Sequence, residues 1–232
     1  MSNQQRRGTS NAGGGRDNRR AGSDDRRGPS QFENWEPRTR LGKMVKNGDI
    51  TSINEIFLQN KRIMDIEIVD MLIPGLEETI LDVRRVQRQT DAGRKTAFQA
   101  IAAVGNRNGI IGVASGKDVS MGTAIRNAIK NAKLEIIPVK RGCGSWECAC
   151  HDPHSIPLSV DGRCASVTAK ILPGPRGLGL VTGEAAKKVL KLAGIEDCWS
   201  RTSGDTRTTA NYVKAVFEAL KATYHVQNPA DW

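Results

Sequence analysis

Apolar and polar residues alternate most sharply between residues 78 and 114. In 94–104 (RKTAFQAIAAV), Phe98, Ala100, Ala102 and Val104 share one side of an extended chain. Ala97, Ile101 and Ala103 share the other, so the segment reads as a strand. Residues 78–88 (ETILDVRRVQR) and 110–114 (IIGVA) read as its neighbours. The linker Gln89–Gly93 carries turn chemistry, and Gly105–Gly109 (GNRNG) is a strong hairpin turn. The period then changes. Met121, Ile125, Ala128, Ile129 and Ala132 recur at helical spacing and predict a helix over about 119–135, entered through a glycine turn at Gly116 that ends in Lys117. Upstream, Ser52-x-x-Glu55 has the pattern of a capping box for a short helix with Ile53, Ile56 and Phe57 inward. Residues 63–73 (IMDIEIVDMLI) read equally as helix or strand and end at Pro74–Gly75. The order helix, three strands, helix predicts a sheet covered by helices on one face.

After Lys140–Arg141 the texture changes. Residues 142–156 are rich in Gly, Cys, His and Pro and read as a linker. A second domain follows, with strands near 157–161 and 165–172 and a Gly/Pro loop, PGPRGLG, at 173–179. A helix over about 184–193 buries Ala185, Ala186, Val189, Leu190 and Ala193 and stops at Gly194. A last helix runs from about Thr208 to Tyr224 with Val213, Val216, Phe217 and Leu220 inward. The divisions are an arm at 1–34, an extension with short helices at 35–77, domains at 78–141 and 157–226 joined by the linker, and a tail at 227–232.

Residues 1–31 hold no Leu, Ile, Val or Phe, and predict a disordered arm with Arg pairs at Arg6–Arg7, Arg19–Arg20 and Arg26–Arg27. It reads as a solubilising tail or as an RNA contact, and Arg with Gly favours RNA.

Charge narrows the function. Thirty-five Lys and Arg oppose 25 Asp and Glu, a net of +10. Such an excess points to nucleic acid or an anionic membrane surface. No apolar run approaches the roughly 20 residues of a membrane span, and no signal peptide is evident, so a cytoplasmic protein bound to RNA or DNA is expected. Only 4% of residues are aromatic, which disfavours recognition by stacked single-stranded bases.

The cations collect at the turns. Arg84, Arg85 and Arg88 lie on one side of the first hairpin, with Arg94 and Lys95 across from them. Asn106, Arg107 and Asn108 form the next turn and Lys117 the third. Arg126, Lys130 and Lys133 make a row on the helix at spacings of four and three. These twelve are the candidate RNA contacts. Isolated, each would be ordinary solvated charge. About eight phosphate contacts would give a log-affinity against log-salt slope of about −6 to −7. Gly93, Gly105, Gly109 and Gly116 would let backbone approach the phosphates.

Two further motifs carry chemistry. Cys143-x4-Cys148-x-Cys150-x3-His154 has thiolate and imidazole ligands suited to structural zinc. His151 competes with His154 for the fourth place, and three free thiols in a loop is the alternative. Five cysteines without a secretory signal argue against a disulfide framework. Pro173-x3-Gly177–Leu178–Gly179 resembles the phosphate loop of small-molecule kinases of the galactokinase and homoserine-kinase superfamily. Leu180 and Val181 follow where hydroxyl residues are needed, and the segment after residue 157 is too short for such a site, so ATP chemistry is rejected. No Ser–His–Asp set or carboxylate dyad stands out, and no catalytic residue is assigned.

Three blocks together resemble the universal small-subunit ribosomal protein five family, of the archaeal and eukaryotic kind. They begin ILDVRRVQRQTDAGRKTAFQAIAAVGNRNGIIGVASGKDVSMGTAIRNAIKNAK, HSIPLSVDGRCASVTAKILPGPRGLGLV and VLKLAGIEDCWSRTSGDTRTTANYVKAVFEAL. The resemblance implies an α+β chain. Its first domain would be α-β-β-β-α, like the double-stranded RNA-binding fold, and its second a β-α-β domain also used by the kinases just rejected. It implies a ribosome-bound, non-enzymatic protein whose partners are small-subunit ribosomal RNA, neighbouring ribosomal proteins and messenger RNA near its entrance, with roles in assembly and decoding accuracy. The hairpin Thr90–Lys95 looks like the family's RNA-inserting loop. A free double-stranded RNA-binding protein acting in processing is the rival reading.

Overall fold

The computed structural model describes residues 35–148, 150 and 152–225. The Arg/Gly arm, His151 and the tail at 227–232 lie outside the described residues. From Glu36 on, the described residues form one compact unit.

Three short helices lead in: α1 (Arg40–Asn47), α2 (Ile53–Leu58) and α3 (Ile66–Leu72). Sequence reading missed α1, although its stops are visible. Thr39 accepts a hydrogen bond from the Gly42 amide, and Gly48 ends the helix in the left-handed region. Residues 63–73 resolve to helix α3. At α2 the capping box is not made: the Ser52 hydroxyl instead donates to the Glu55 carboxylate at 2.9 Å and accepts no backbone amide.

The first sheet is antiparallel, in order β1 (Glu77–Thr90), β2 (Gly93–Gly105), β3 (Ile110–Asp118), β4 (Ile136–Pro138), with α4 (Met121–Leu134) between the last two. The alternation of β2 is realised. Ala100 and Ala102 pack with Ala124 and Ala128 of α4, and Phe98 and Ile125 flank them. Val104 meets Ala114 and Ala132. Alanines at this seam draw the helix close, and Ala124, which the apolar stripe omitted, lies at its centre. Met121, assigned to that stripe, is exposed.

The opposite face differs from the one-face expectation. Ile101 and Ala103, with Ile111 and Val113, enter the core of the second lobe. Both faces of β2 are therefore covered, one by α4 and one by the rest of the chain.

The Gly116 turn is corrected. β3 continues to Asp118, with Gly116 paired to Ala100 and Lys117 to Gln99. A Cβ on Gly116 would overlap the Ala128 amide and the Ala124 carbonyl of α4. Glycine is required here by the approach of a helix, not by a bend.

In the second lobe the sheet order is β5 (Val160–Cys164), β6 (Val167–Pro173), β8 (Cys198–Ser203), β7 (Leu180–Val181), with β7 parallel to β8. Helix α5 (Glu184–Ala193) makes that crossover, and α6 (Thr209–Ala222) packs on β5 and β6. The first strand starts three residues later than expected, and the residues just before the expected start, Ser155 and Ile156, instead pair with Gly142 and Gly144. β8 was not anticipated: CWSRTS is short and mostly polar. Val189, Leu190, Val213, Val216 and Leu220 fill the shared core.

Candidate nucleic-acid interface and thiol cluster

The first hairpin outruns its sheet. β3 ends opposite Phe98, so residues 93–97 of β2 and 86–90 of β1 project as a two-stranded ribbon of roughly 17 Å at ~3.4 Å per residue. Asp91 and Ala92 form its tip, and the Thr90 hydroxyl donates to the Gly93 carbonyl at 2.7 Å. No residue of this ribbon is buried. Paired residues of antiparallel strands share a side. Arg85 lies opposite Phe98 and Arg94 opposite Gln89, on the side facing α4. Arg84, Arg88, Lys95 and Lys117 share the other side with Gln99, which accepts from Arg84 Nη2 at 3.2 Å. The pair Arg88 and Lys95 sets like charges directly across the ladder, an unfavourable placement on its own.

The helix row breaks. Arg126 and Lys130 are exposed on α4. Lys133 is only 4% exposed, and its ammonium sits 2.8 Å from Asp70 of α3 and 3.2 Å from Glu78 of β1. It bolts α3 and β1 to α4 and is withdrawn from the contact set. The turn after β2 is also engaged internally. Asn106 Oδ1 accepts from the amides of Asn108 and Ile110 at 2.8 and 3.1 Å, and Asn108 Oδ1 accepts from Arg141. Arg107 pairs with Glu77 at 2.7 Å, though its side chain stays half exposed. Gly105 packs against the Leu192 backbone, so its small size serves the core. Among the described residues, Arg84, Arg85, Arg88, Arg94, Lys95, Lys117, Arg126 and Lys130 form no ion pair.

Sequence reasoning missed a second cationic surface. An open groove of about 830 Å³ is lined by Arg107, Arg141, Arg176, Lys187 and Lys191, with Asp152 and Glu196 as its acids. Its residues come from four separate segments, so no local motif announces it. Arg176 already pairs with Asp152 at 2.9 Å.

Beside this groove the cysteine loop closes. Gly142 and Ser155 exchange both backbone bonds, and the Gly144 amide donates to the Ile156 carbonyl, which brings the two ends of the loop together. The ligand atoms of Cys143, Cys148, Cys150 and His154 all lie within 4.8 Å of one another. Cys148 Sγ is 3.1 Å from Cys150 Sγ and 3.9 Å from His154 Nε2. His154 Nδ1 lies 2.8 Å from Asp197 Oδ2, both side chains buried. The hydrogen bond from Cys150 pulls the Cys148 thiol down to about 6, and the same contact pushes Cys150 up to about 11. Burial lowers the proton affinity of His154, but bonds to Cys143, Asp197 and Cys148 outweigh it and the net shift is upward.

The PGPRGLG loop keeps its amide for itself. Gly179, at φ 74°, donates its N–H to Asp197 Oδ1 at 2.7 Å. That donor is spent inside the protein.

A family model for ribosomal protein S5, N-terminal domain, matches residues 76–140, and one for ribosomal protein S5, C-terminal domain, matches 162–231. The protein named "Small ribosomal subunit protein uS5" from Thermofilum pendens is 52% identical over 198 residues, covering 85% of this chain and 98% of the relative. The protein of the same name from Hyperthermus butylicus is 55% identical over 201 residues, covering 86% and 94%. That of Aeropyrum pernix is 52% identical over 205 residues, covering 88% and 94%.

This chain belongs to the ribosomal protein S5 family.

The N-terminal S5 match takes in the projecting ribbon, α4 and every candidate RNA contact. The C-terminal S5 match takes in Asp197 but begins after His154. The thiol cluster thus falls between the two S5 segments.

Proposed function

We infer that this S5-family chain is a structural, non-enzymatic constituent of the small ribosomal subunit, bound to the particle in the cytoplasm. Its first lobe clamps folded ribosomal RNA, its second lobe packs on RNA and neighbouring ribosomal proteins, and it supports assembly, messenger RNA entrance and decoding accuracy. The observation that carries this is the ribbon. A hairpin with no buried residue, whose cations lack acidic partners and face one another at Arg88 and Lys95, is stable in that form when a polyanion lies against it. Shape supports folded RNA as that polyanion, because the ribbon offers no aromatic platform for unpaired bases.

Sedimentation of a lysate through a sucrose gradient tests this. The chain should travel with the small subunit through high salt, and affinity for a small-subunit rRNA fragment should fall with a slope of about −6 to −7. A pool confined to the top of the gradient, or a flat salt dependence, would refute it. Binding of ATP with magnesium, read by calorimetry, would favour the kinase alternative.

A further inference from the structure

We propose that Cys143, Cys148, Cys150 and His154 hold a structural zinc ion, with Asp197 as the positioning residue behind His154. Neither family segment contains the four ligands, and the proposal is independent of the RNA reading.

The geometry fits first. A tetrahedral zinc with sulfurs at ~2.3 Å sets its sulfur atoms about 3.8 Å apart. The observed separations run from 3.1 Å between Cys148 and Cys150 to at most 4.8 Å for any pair, so rotations moving each ligand atom by about 1 Å complete the shell. A multi-iron cluster would hold its thiolates further apart. Four protein ligands leave no open position, so the site is structural.

The imidazole is prepared for metal. A carboxylate only accepts, so His154 Nδ1 carries the proton in its bond to Asp197 Oδ2. The lone pair of Nε2 is thereby turned toward Cys148. Carboxylate, imidazole and metal in this order form the usual supporting arrangement of a zinc histidine. Asp197 is itself fixed: its other oxygen accepts from Gly179, its amide donates to the His154 carbonyl, and its own carbonyl accepts from the Ser155 hydroxyl.

The loop needs such a tie. Between Gly142 and Pro153 no described residue is buried. None of its described residues joins the apolar core, and it is tied by backbone bonds at its ends and by the exposed Arg176–Asp152 pair. Metal ligation supplies what a core cannot. Cys164 and Cys198 stand outside the cluster and give internal controls.

The test uses the purified full chain. Elemental analysis after exhaustive dialysis should find one zinc per chain, and replacement by cobalt(II) should give the visible bands of a tetrahedral thiolate site. Cys148→Ser should abolish retention, Cys164→Ser should leave it intact, and His154→Cys should keep the metal as an all-thiolate site. Asp197→Asn should keep the metal but lose about 10–100-fold in affinity, read by competition with a chromophoric chelator, and Asp197→Glu should recover part of that loss. Wild-type chain without stoichiometric zinc overturns the proposal, whether its thiols are freely alkylated, joined as a Cys148–Cys150 disulfide, or bound to iron. Equal zinc retention by Cys148→Ser and wild type overturns it too.

Discussion

Lys130 and Lys133 sit three residues apart in one cationic row, yet the structure gives them opposite tasks, and substitution separates them. Lys133→Met keeps most of the apolar stem and removes the charge that Asp70 and Glu78 share at 2.8 and 3.2 Å. Breaking a fully buried ion pair costs about 3–5 kcal/mol, and an exposed pair about 0–1. Here the ammonium is buried, but the Asp70 and Glu78 side chains are 26% and 32% exposed and regain some water when abandoned. The cost should fall between those limits, at about 2 kcal/mol. For a chain of this size that lowers Tm by about 4–8 °C. Adding Asp70→Asn and Glu78→Gln to Lys133→Met should recover much of the loss, because the orphaned charges go. Lys130→Met should change stability by less than about 0.5 kcal/mol. It should instead lower the salt slope of rRNA binding by about 1, whereas Lys133→Met should leave the slope unchanged. Urea unfolding and filter binding across a salt series measure the two effects. If Lys133→Met leaves the urea midpoint alone and flattens the salt dependence as Lys130→Met does, the inward assignment of Lys133 is wrong.

Reversing Arg94 and Lys95 to Glu should cut the salt slope by at least about 2 and impair incorporation into particles, with unfolding little changed; unaltered assembly, accuracy and growth would remove the ribbon from the contact surface. Gly116→Ala drives a methyl into the Ala128 and Ala124 backbone and should cost more than the ~1–3 kcal/mol of ordinary overpacking, checked by urea midpoint against Gly122→Ala, whose Cβ meets nothing. Burial, aided by the nearby Asp197 charge, pushes the Cys198 thiol from 9.0 up to about 12. The unfolded thiol gives up its proton first, so stability present below pH 9 should decline as pH rises from 9 toward 12. Cys198→Ala should flatten that decline in pH-dependent unfolding, and an unchanged profile would exclude Cys198 as its source.

Period-two alternation in β2 and the helical period of α4 were legible because each is a local rule, and both segments obey it over ten or more residues. Periodicity assigns a side of a helix but not its neighbour. Lys133 therefore read as one of a row, since Asp70 lies 63 positions away and nothing local announces it. Gly116 read as a bend for a similar reason: the demand for a missing Cβ comes from α4, not from the strand that contains it. The hairpin cations were legible as a set, while their division between two sides needed the register. At the thiol cluster the spacing identified the ligands, but Asp197, 43 positions from His154, had no signature at all. β8 was lost because it is short, and after Cys198 and Trp199 its residues are polar and mostly exposed.

The apolar residues of β2 and β3 that run into the other half of the molecule limit how this chain can be divided. Scission at Arg141 would lay bare Ile101, Ala103, Ile111 and Val113 as one oily strip, and either fragment alone would clump before it could be assayed. Whatever grips one lobe is thereby mechanically coupled, through that shared core, to whatever grips the other.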